Sequence, residues 1–271
     1  KKVLGQFGAV KLGEVKPENL RVVVNRFKSA IGALDPNPKH SGAGVELLRE
    51  AGIEVTVGVE RNACSEINQP FFCWITTGRP LVILKMAMTL DGKIATADGE
   101  SKWIPGPEAR RRVQQLRRLA DAVMVGGETV RLDHPALTVR EPDSWPCQPL
   151  RLIASRSMDE EELATYFPDG NAELVQLNVA DDWGMLLDHL GLRNITCLLI
   201  EGGGELAASA LNAGVVDYVE FHIAPKLLGG RDSRPVLGGD DPDSMALARK
   251  LHRVKVTHYG EDIAISGFLK E

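Results

Sequence analysis

Three short segments of this 271-residue chain combine residue types that can do chemistry on a phosphorylated ligand. Ile200-Glu-Gly-Gly-Gly-Glu-Leu206 follows an apolar run and opens an Ala-rich helical pattern. Backbone N–H groups and the positive helix end at such a place can hold a pyrophosphate, and glycine lets the backbone come close. Alone, a triple glycine after a strand is as readily a tight structural turn, and this one is not the GxGxxG dinucleotide fingerprint. A second turn, Val125-Gly-Gly-Glu-Thr-Val130, also follows a buried run and leads through a polar stretch to Asp133-His134-Pro135-Ala136-Leu137-Thr138-Val139-Arg140. Two such turns fit a long, extended ligand. A third run ends in Ile153-Ala-Ser-Arg-Ser157, two hydroxyls and a guanidinium suited to a 2′-phosphate, where an NAD site usually places a carboxylate on the ribose. That set favours NADPH over NADH, although a polar turn would look the same.

Lys85 interrupts the strand-like run LVILKMAM, and a cation among apolar neighbours is costly unless it meets an anion or an opening. It reads as a site residue. The helical pattern Pro107–Ala120 carries Arg110, Arg111, Arg112, Arg117 and Arg118, which at 3.6 residues per turn cannot share one face. Most are therefore solvated. Arg117, one turn beyond Val113 and next to Leu116, is the one best placed to turn inward.

Other chemistries find little support. The six histidines form no HxE or HExxH pattern, the four cysteines no CxxC pair, and there is no GxSxG elbow for a serine nucleophile. No metal is expected on these residues. Cys64, Cys73, Cys147 and Cys197 read as reduced thiols. No window has the roughly 18 to 20 apolar residues of a membrane span, so the expectation is a cytoplasmic protein with no membrane partner. Net charge is −5; residues up to Arg79 hold 11 basic and 8 acidic residues, the rest 21 and 29, a balance that disfavours nucleic acid.

From Leu81 onward, β-branched runs alternate with helical patterns: LVILKMAM, PEARRRVQQLRRLA, DAVMVG, PLRLIAS, AELVQLNV, DDWGMLLDHLG, ITCLLIEG, GELAASALNAG, YVEFHIAPKLL and DIAISGFLKE. This is the rhythm of an α/β domain. Pro105 and Pro107 mark a helix start; Gly191 and Gly214 mark helix stops. Ahead of it lie AIGALDPNP, a loop SGAG, a helix VELLREAG, a strand IEVTVGV, a helix near Asn62–Trp74 and a linker Thr76–Pro80. The plan is two unequal domains, residues 1–79 and 80–271.

In order, LKMAMTLDGKIATADGESKWI, VMVGGETVRLDHPALTVR, IEGGGELAASAL and FHIAPKLLGG closely resemble the reductase half of the bifunctional riboflavin-biosynthesis deaminase/reductase, over about 190 residues. The resemblance implies a dihydrofolate-reductase-like mixed sheet flanked by helices, and NADPH-dependent reduction of 5-amino-6-(5-phosphoribosylamino)uracil to the phosphoribitylamino compound. By motif position it implies cofactor contacts at Ala87, Trp103, Thr129, Asp133, Ser155 and the run Gly203, Gly204, Glu205, Leu206, Ala207, Ala208 and Ser209. It implies substrate contacts at Ser101, Arg117, Leu137, Arg140 and Glu201. Lys85 stands beside these, and Lys85 and Glu201 are the catalytic candidates: Lys85 with the arginines fixes the phosphorylated sugar, and Glu201 orients sugar or pyrimidine. Lys85, Asp133 and bound water all stay open as proton donor. A homo-oligomer is expected.

LDPNPKHSGAGVELLREAGIEVTVGV and the link through TTGRP resemble the closing third of the same family's zinc-dependent, cytidine-deaminase-like α/β domain. The family's His-Ala-Glu and Pro-Cys-Cys segments, which supply the zinc ligands and a proton-shuttling Glu, are absent here. The front therefore reads as a partial or degenerate deaminase domain. Zinc, and a second deaminase activity, are expected only of a full-length protein in which that domain is intact. A non-catalytic nucleotide-binding protein is the remaining rival, and the presence of both glycine turns with Ser101, Arg140 and Glu201 argues against it.

Overall fold

The computed structural model describes residues 42–52, 54–102, 104–142, 144–178 and 180–270. The chain divides into two compact units, Lys1–Thr76 and Thr77–Glu271. The opening fragment, AIGALDPNP and Trp103 lie outside the described residues.

In the first unit two helices are described, α1 (Ala43–Glu50) and α2 (Arg61–Thr77, which runs across the unit boundary). The expected strand IEVTVGV is not found: residues 54–58 are irregular, with no ladder partner among the described residues. β-branched composition fits a pleated surface but does not supply a neighbour.

The second unit is built on a sheet of eight strands: β1 (Leu81–Thr89), β3 (Ala122–Gly126), β4 (Leu150–Ala154), β5 (Ala172–Val175), β6 (Cys197–Ile200), β7 (Tyr218–Ala224), β9 (His252–Tyr259) and β10 (Asp262–Phe268). Their order is β5-β4-β3-β6-β1-β7-β10-β9, parallel from β5 to β7 and antiparallel across β10 and β9. Two short strands, β2 (Lys93–Ala95) and β8 (Arg234–Pro235), pair separately. Helices α3 (Pro107–Leu119), α4 (Gly127–Asp133), α5 (Glu160–Tyr166), α6 (Ala180–Leu192) and α7 (Gly204–Asn212) connect the strands.

Parallel strands covered on both faces should read as continuous apolar runs, and β1, β3 and β6 do. On one face Val82, Leu84, Met124, Leu198 and Ile200 pack against Trp183, Leu187 and Leu190 of α6 and Ala207 and Leu211 of α7. Trp183 is fully buried, and its indole N–H donates to Ser209 Oγ at 2.9 Å, so the polar tip of this large side chain is satisfied. Strand alternation turns Ile83, Lys85 and Glu220 to the other face, which α3 covers with Ala109, Val113 and Leu116. Pro107 occupies the first turn of α3, and the N–H of Gly106 ahead of it donates to buried Asp262 Oδ2 at 2.6 Å, fastening the helix start to β10.

Gly191 does not stop α6 as expected but lies inside its last turn, and Asn194 at φ 61° carries the left-handed position. Glycine is required there by contact: a Cβ would overlap the carbonyl oxygen of Gly78. Gly214, at φ 65°, does follow α7 as a stop.

Candidate active site

The C-terminal ends of β1, β3, β4 and β6 open onto a cavity of about 990 Å³. Ligands of open parallel sheets bind at strand C-termini. Lys85 and Glu201 line it, within a row of charge across three adjacent strands whose third member, Glu220, lies outside the lining. Lys85 of β1 stands in register with Glu220 of β7 on one side, and Glu201 follows the end of β6 on the other.

Each carboxylate is held by an arginine from α3. Arg117 Nε and Nη2 donate to the two oxygens of Glu201 at 2.6 and 2.8 Å, and its Nη1 to the carbonyl of Thr138 at 3.1 Å. Arg112 Nε and Nη2 donate to Glu220 at 2.9 and 2.8 Å, and His222 Nε2 lies 2.8 Å from the same carboxylate, its ring stacked on Tyr259. Burial pushes the Glu220 carboxyl up, but the hydrogen bonds from His222 and Arg112 outweigh it and bring it down to about 2. Burial lowers Arg117, and Glu201 more than restores it.

Lys85 is treated differently. It is 8% exposed and lines the cavity, yet it makes no hydrogen bond or salt bridge among the described residues. Burial pushes its pKa down, the charge of Glu201 offsets this in part, and Arg117 adds to the fall. The site therefore presents an unpartnered ammonium to whatever enters. Burying a charge without a partner is costly, so a ligand anion or polar oxygen is the natural complement.

The two glycine turns lie side by side because β3 and β6 are hydrogen-bonded neighbours. Gly202 and Gly203 have φ of 115° and 84°, a backbone that L side chains rarely adopt, and a Cβ on Gly202 would meet nothing within 4 Å. Gly203 approaches Thr129 Oγ1 of the neighbouring turn, which lines the same cavity. Gly127 is glycine for another reason: a Cβ would lie 2.7 Å from Ser155 Oγ, so its absence lets the turn after β4 close on the turn after β3. Ser155 Oγ accepts from the N–H groups of Met158 at 3.0 Å and Ser157 at 3.3 Å, which leaves its own O–H to donate outward.

Of the residues expected from sequence, Lys85, Ala87, Ser101, Thr129, Asp133, Ser155, Glu201, Gly203, Gly204, Glu205, Leu206 and Ser209 line this one cavity. Ser101 Oγ donates to Asp133 Oδ1 at 2.6 Å, so a residue expected on substrate touches one expected on cofactor. Ala207 and Ala208 do not line it; helical periodicity turns them into the core and under the loop at Gly239. Arg117 turns inward as expected, but its guanidinium is occupied by Glu201 and Thr138 and does not front the cavity. Leu137 is buried with φ 54°, and Arg140 is exposed, its backbone N–H donating to Gln114 Oε1 at 2.7 Å; neither side chain lines the cavity. Gly204 and Glu205 face the cavity but also serve the loop after β8: a Cβ on Gly204 would lie 2.8 Å from the Pro235 carbonyl, and Glu205 accepts from Gly239.

Sequence reading missed Arg112, Glu220, His222, Arg131 and Arg234. The signal for two of them was the polar pair Glu220 and His222 at strand spacing within YVEFHIA, which marks a polar patch on an otherwise apolar strand face. Among the described residues no three His, Cys, Asp or Glu side chains come together as a metal site, and no helix is long and apolar enough to cross a membrane.

Comparison with known proteins agrees with this geometry. The family described as the RibD C-terminal domain matches residues 80–265. The riboflavin biosynthesis protein RibD of Actinobacillus pleuropneumoniae is 40% identical over 264 residues, 88% of this chain and 70% of that protein. RibD of Synechocystis is 37% identical over 264 residues, 89% of this chain and 71% of the relative. Among solved structures, Acinetobacter baumannii RibD superposes with a TM-score of 0.74 at 31% identity, covering 87% of this chain and 70% of that one. A Thermotoga maritima diaminohydroxyphosphoribosylaminopyrimidine deaminase/5-amino-6-(5-phosphoribosylamino)uracil reductase does so at 0.73 and 30%, covering 87% and 69%. The yeast riboflavin biosynthesis reductase Rib7, at 17% identity and a TM-score of 0.53, shares the fold. The mixed sheet flanked by helices is thus the dihydrofolate-reductase-like architecture of these reductases. With the domain match covering the whole cavity and relatives of 30 to 40% identity over most of its length, this chain belongs to the RibD family of riboflavin biosynthesis proteins.

Proposed function

We propose that residues 80–271 form an NADPH-dependent reductase domain that converts 5-amino-6-(5-phosphoribosylamino)uracil to the 5-phosphoribitylamino compound, with residues 1–79 a partial deaminase-like domain before it. The observation that carries the reading is the unpartnered, buried Lys85 ammonium at the floor of a cavity edged by two glycine turns.

The residues fit the cofactor. Open space at Gly202 and the N–H groups at the start of α7 suit a pyrophosphate, Thr129 and Ser209 offer hydroxyls, and the Ser155–Ser157 turn suits a 2′-phosphate. NADPH, when bound, supplies the hydride. The substrate is read as its ring-opened imine: C1 of the sugar takes the hydride and the imine nitrogen takes one proton. Lys85 Nζ, whose proton burial makes easier to release, stands at the floor to polarise this centre and deliver that proton. Glu201, fixed by Arg117, orients the sugar or the pyrimidine. Ser101 contacts the substrate from the cavity wall. Leu137 and Arg140 stand outside that lining and are read as meeting the substrate's phosphate where it projects beyond the cavity.

The test is oxidation of NADPH by the purified chain with the phosphoribosylaminouracil substrate. Turnover with NADPH and a far smaller kcat/KM with NADH are expected; no turnover, or equal use of both cofactors, overturns the reading. The deaminase alternative is not favoured: the family match spans 80–265, the reductase half, and residues 1–79 carry neither a His-Ala-Glu nor a Pro-Cys-Cys segment. A homo-oligomer in the cytoplasm is the setting proposed for this activity.

A further inference from the structure

On the reading that this cavity takes NADPH, we propose that Arg131, through its pairing with Glu162, determines selectivity for the 2′-phosphate. Arg131 lies on α4 two residues after Thr129 and lines the cavity. Its Nε and Nη2 donate to the two carboxylate oxygens of Glu162 on α5 at 2.7 and 2.9 Å, and its Nη1 donates to Ser157 Oγ at 3.2 Å. One guanidinium thus ties the helix after β3 to the helix after β4 and anchors the turn between β4 and α5. Glu162 is itself placed by the start of its helix, where its N–H donates to Asp159 Oδ1 at 2.8 Å.

Two consequences follow for a nucleotide ribose at this turn. A guanidinium has five N–H donors; three make hydrogen bonds here and Nη1 also lies 3.7 Å from Glu128 Oε2, so the second N–H of Nη2 remains for a ligand oxygen, and that of Nη1 is shared with Glu128. With the outward hydroxyl of Ser155 and the exposed Arg156, which lines the same cavity, they form a set that suits a phosphate dianion. NADH offers a 2′-hydroxyl instead, and that group is usually met by a carboxylate acceptor. Glu162 is a carboxylate beside this turn, and Arg131 occupies both of its oxygens. Arg131 therefore acts twice, providing donors for the phosphate and withdrawing the acceptor that would favour NADH.

The test is calorimetric binding of 2′,5′-ADP and 5′-AMP, with kcat/KM for NADPH and NADH alongside, on the wild-type chain and the Arg131→Gln, Arg131→Lys and Arg131→Gln/Glu162→Gln variants. Arg131→Gln is expected to weaken 2′,5′-ADP by roughly ten- to a hundredfold, the range for a charge-assisted hydrogen bond, while 5′-AMP stays the same or tightens. Arg131→Lys, which keeps the charge without the fork, should fall between. The double variant should regain part of the 2′,5′-ADP affinity, since the released carboxylate no longer repels the phosphate. If the two ligands weaken together in Arg131→Gln and Arg131→Lys, or neither moves, the pair only braces the fold and the inference fails while the cofactor reading stands. A wild-type chain that binds 2′,5′-ADP no better than 5′-AMP would sink both.

Discussion

Replacing Lys85 with methionine should make this protein more stable and less active. Methionine keeps an unbranched stem of similar volume and removes the ammonium, which is 8% exposed and has no hydrogen-bond acceptor among the described residues. Exchanging buried charge for a well-packed apolar group of similar volume commonly stabilises by about 1 to 4 kcal/mol. Here Glu201 and Glu220 keep their own arginines, so neither is orphaned, but each loses a favourable Coulomb partner; the lower half of that range, about 1 to 2 kcal/mol, is the expected gain. For a unit of this size that is a rise in Tm of roughly 2 to 8 °C. Catalysis should move the other way. Loss of a charge-assisted contact costs about 1.5 to 3 kcal/mol, and loss of a general acid typically costs about 10²- to 10⁴-fold, so kcat should fall by at least two orders of magnitude. Urea melts followed by tryptophan fluorescence give the first quantity, and stopped-flow NADPH oxidation gives the second. A variant destabilised by more than 1 kcal/mol would show Lys85 to be a structural cation. Full activity in a stabilised variant would remove it from the reaction.

Three further outcomes are expected. Glu220→Gln should cost about 3 kcal/mol at neutral pH, from a carboxyl held near 2 against an ordinary 4.5 at roughly 1.4 kcal/mol per pH unit. Because the folded pKa is depressed, that contribution is complete above pH 4.5 and is lost as pH falls towards 2; melts of variant and wild type should converge over that window, and a constant gap would contradict the assignment. Arg140→Ala should lower kcat/KM for the substrate by roughly one to two orders of magnitude with NADPH affinity unchanged, whereas an unaltered rate would mark a surface arginine. Gly191→Ala should destabilise by about 3 kcal/mol or more, since the overlap with the Gly78 carbonyl exceeds the roughly 1 kcal/mol that alanine gains in a helix; a neutral melt would show that the backbone there can part freely.

The central strands were legible because β1, β3 and β6 are buried on both faces and read as apolar runs, broken only by Lys85 in β1. β9 was not, because His252–Tyr259 is an edge strand with an almost wholly exposed, charge-rich surface and no core face to impose a period. Helices α4 and α5, seven residues each, are too short for a 3.6-residue pattern to declare itself. The cavity's residues were visible as motifs, Lys85 from its cost alone. What sequence could not show is which charges meet: Arg112 finds Glu220 108 positions away, and Arg117 finds Glu201 84 positions away. Gly191 looked like a helix stop because its requirement, the Gly78 carbonyl, comes from a distant segment.

The place of β1 at the middle of the sheet also matters while the protein is being made. Leu81 pairs with Cys197, and Ile83 with Tyr218, so both neighbours of β1 are translated more than a hundred residues after it. At roughly 5 to 20 residues per second, β1 waits on the order of ten seconds as an unpaired, nine-residue apolar strand. Strand edges of that kind pair readily with other chains. Lys85, in the middle of the run, is the one charge that interrupts it during this interval. The residue proposed to act in the finished site should thus also hinder self-association of the nascent strand, and the Lys85→Met variant, although more stable once folded, should give a lower soluble yield at high expression rates.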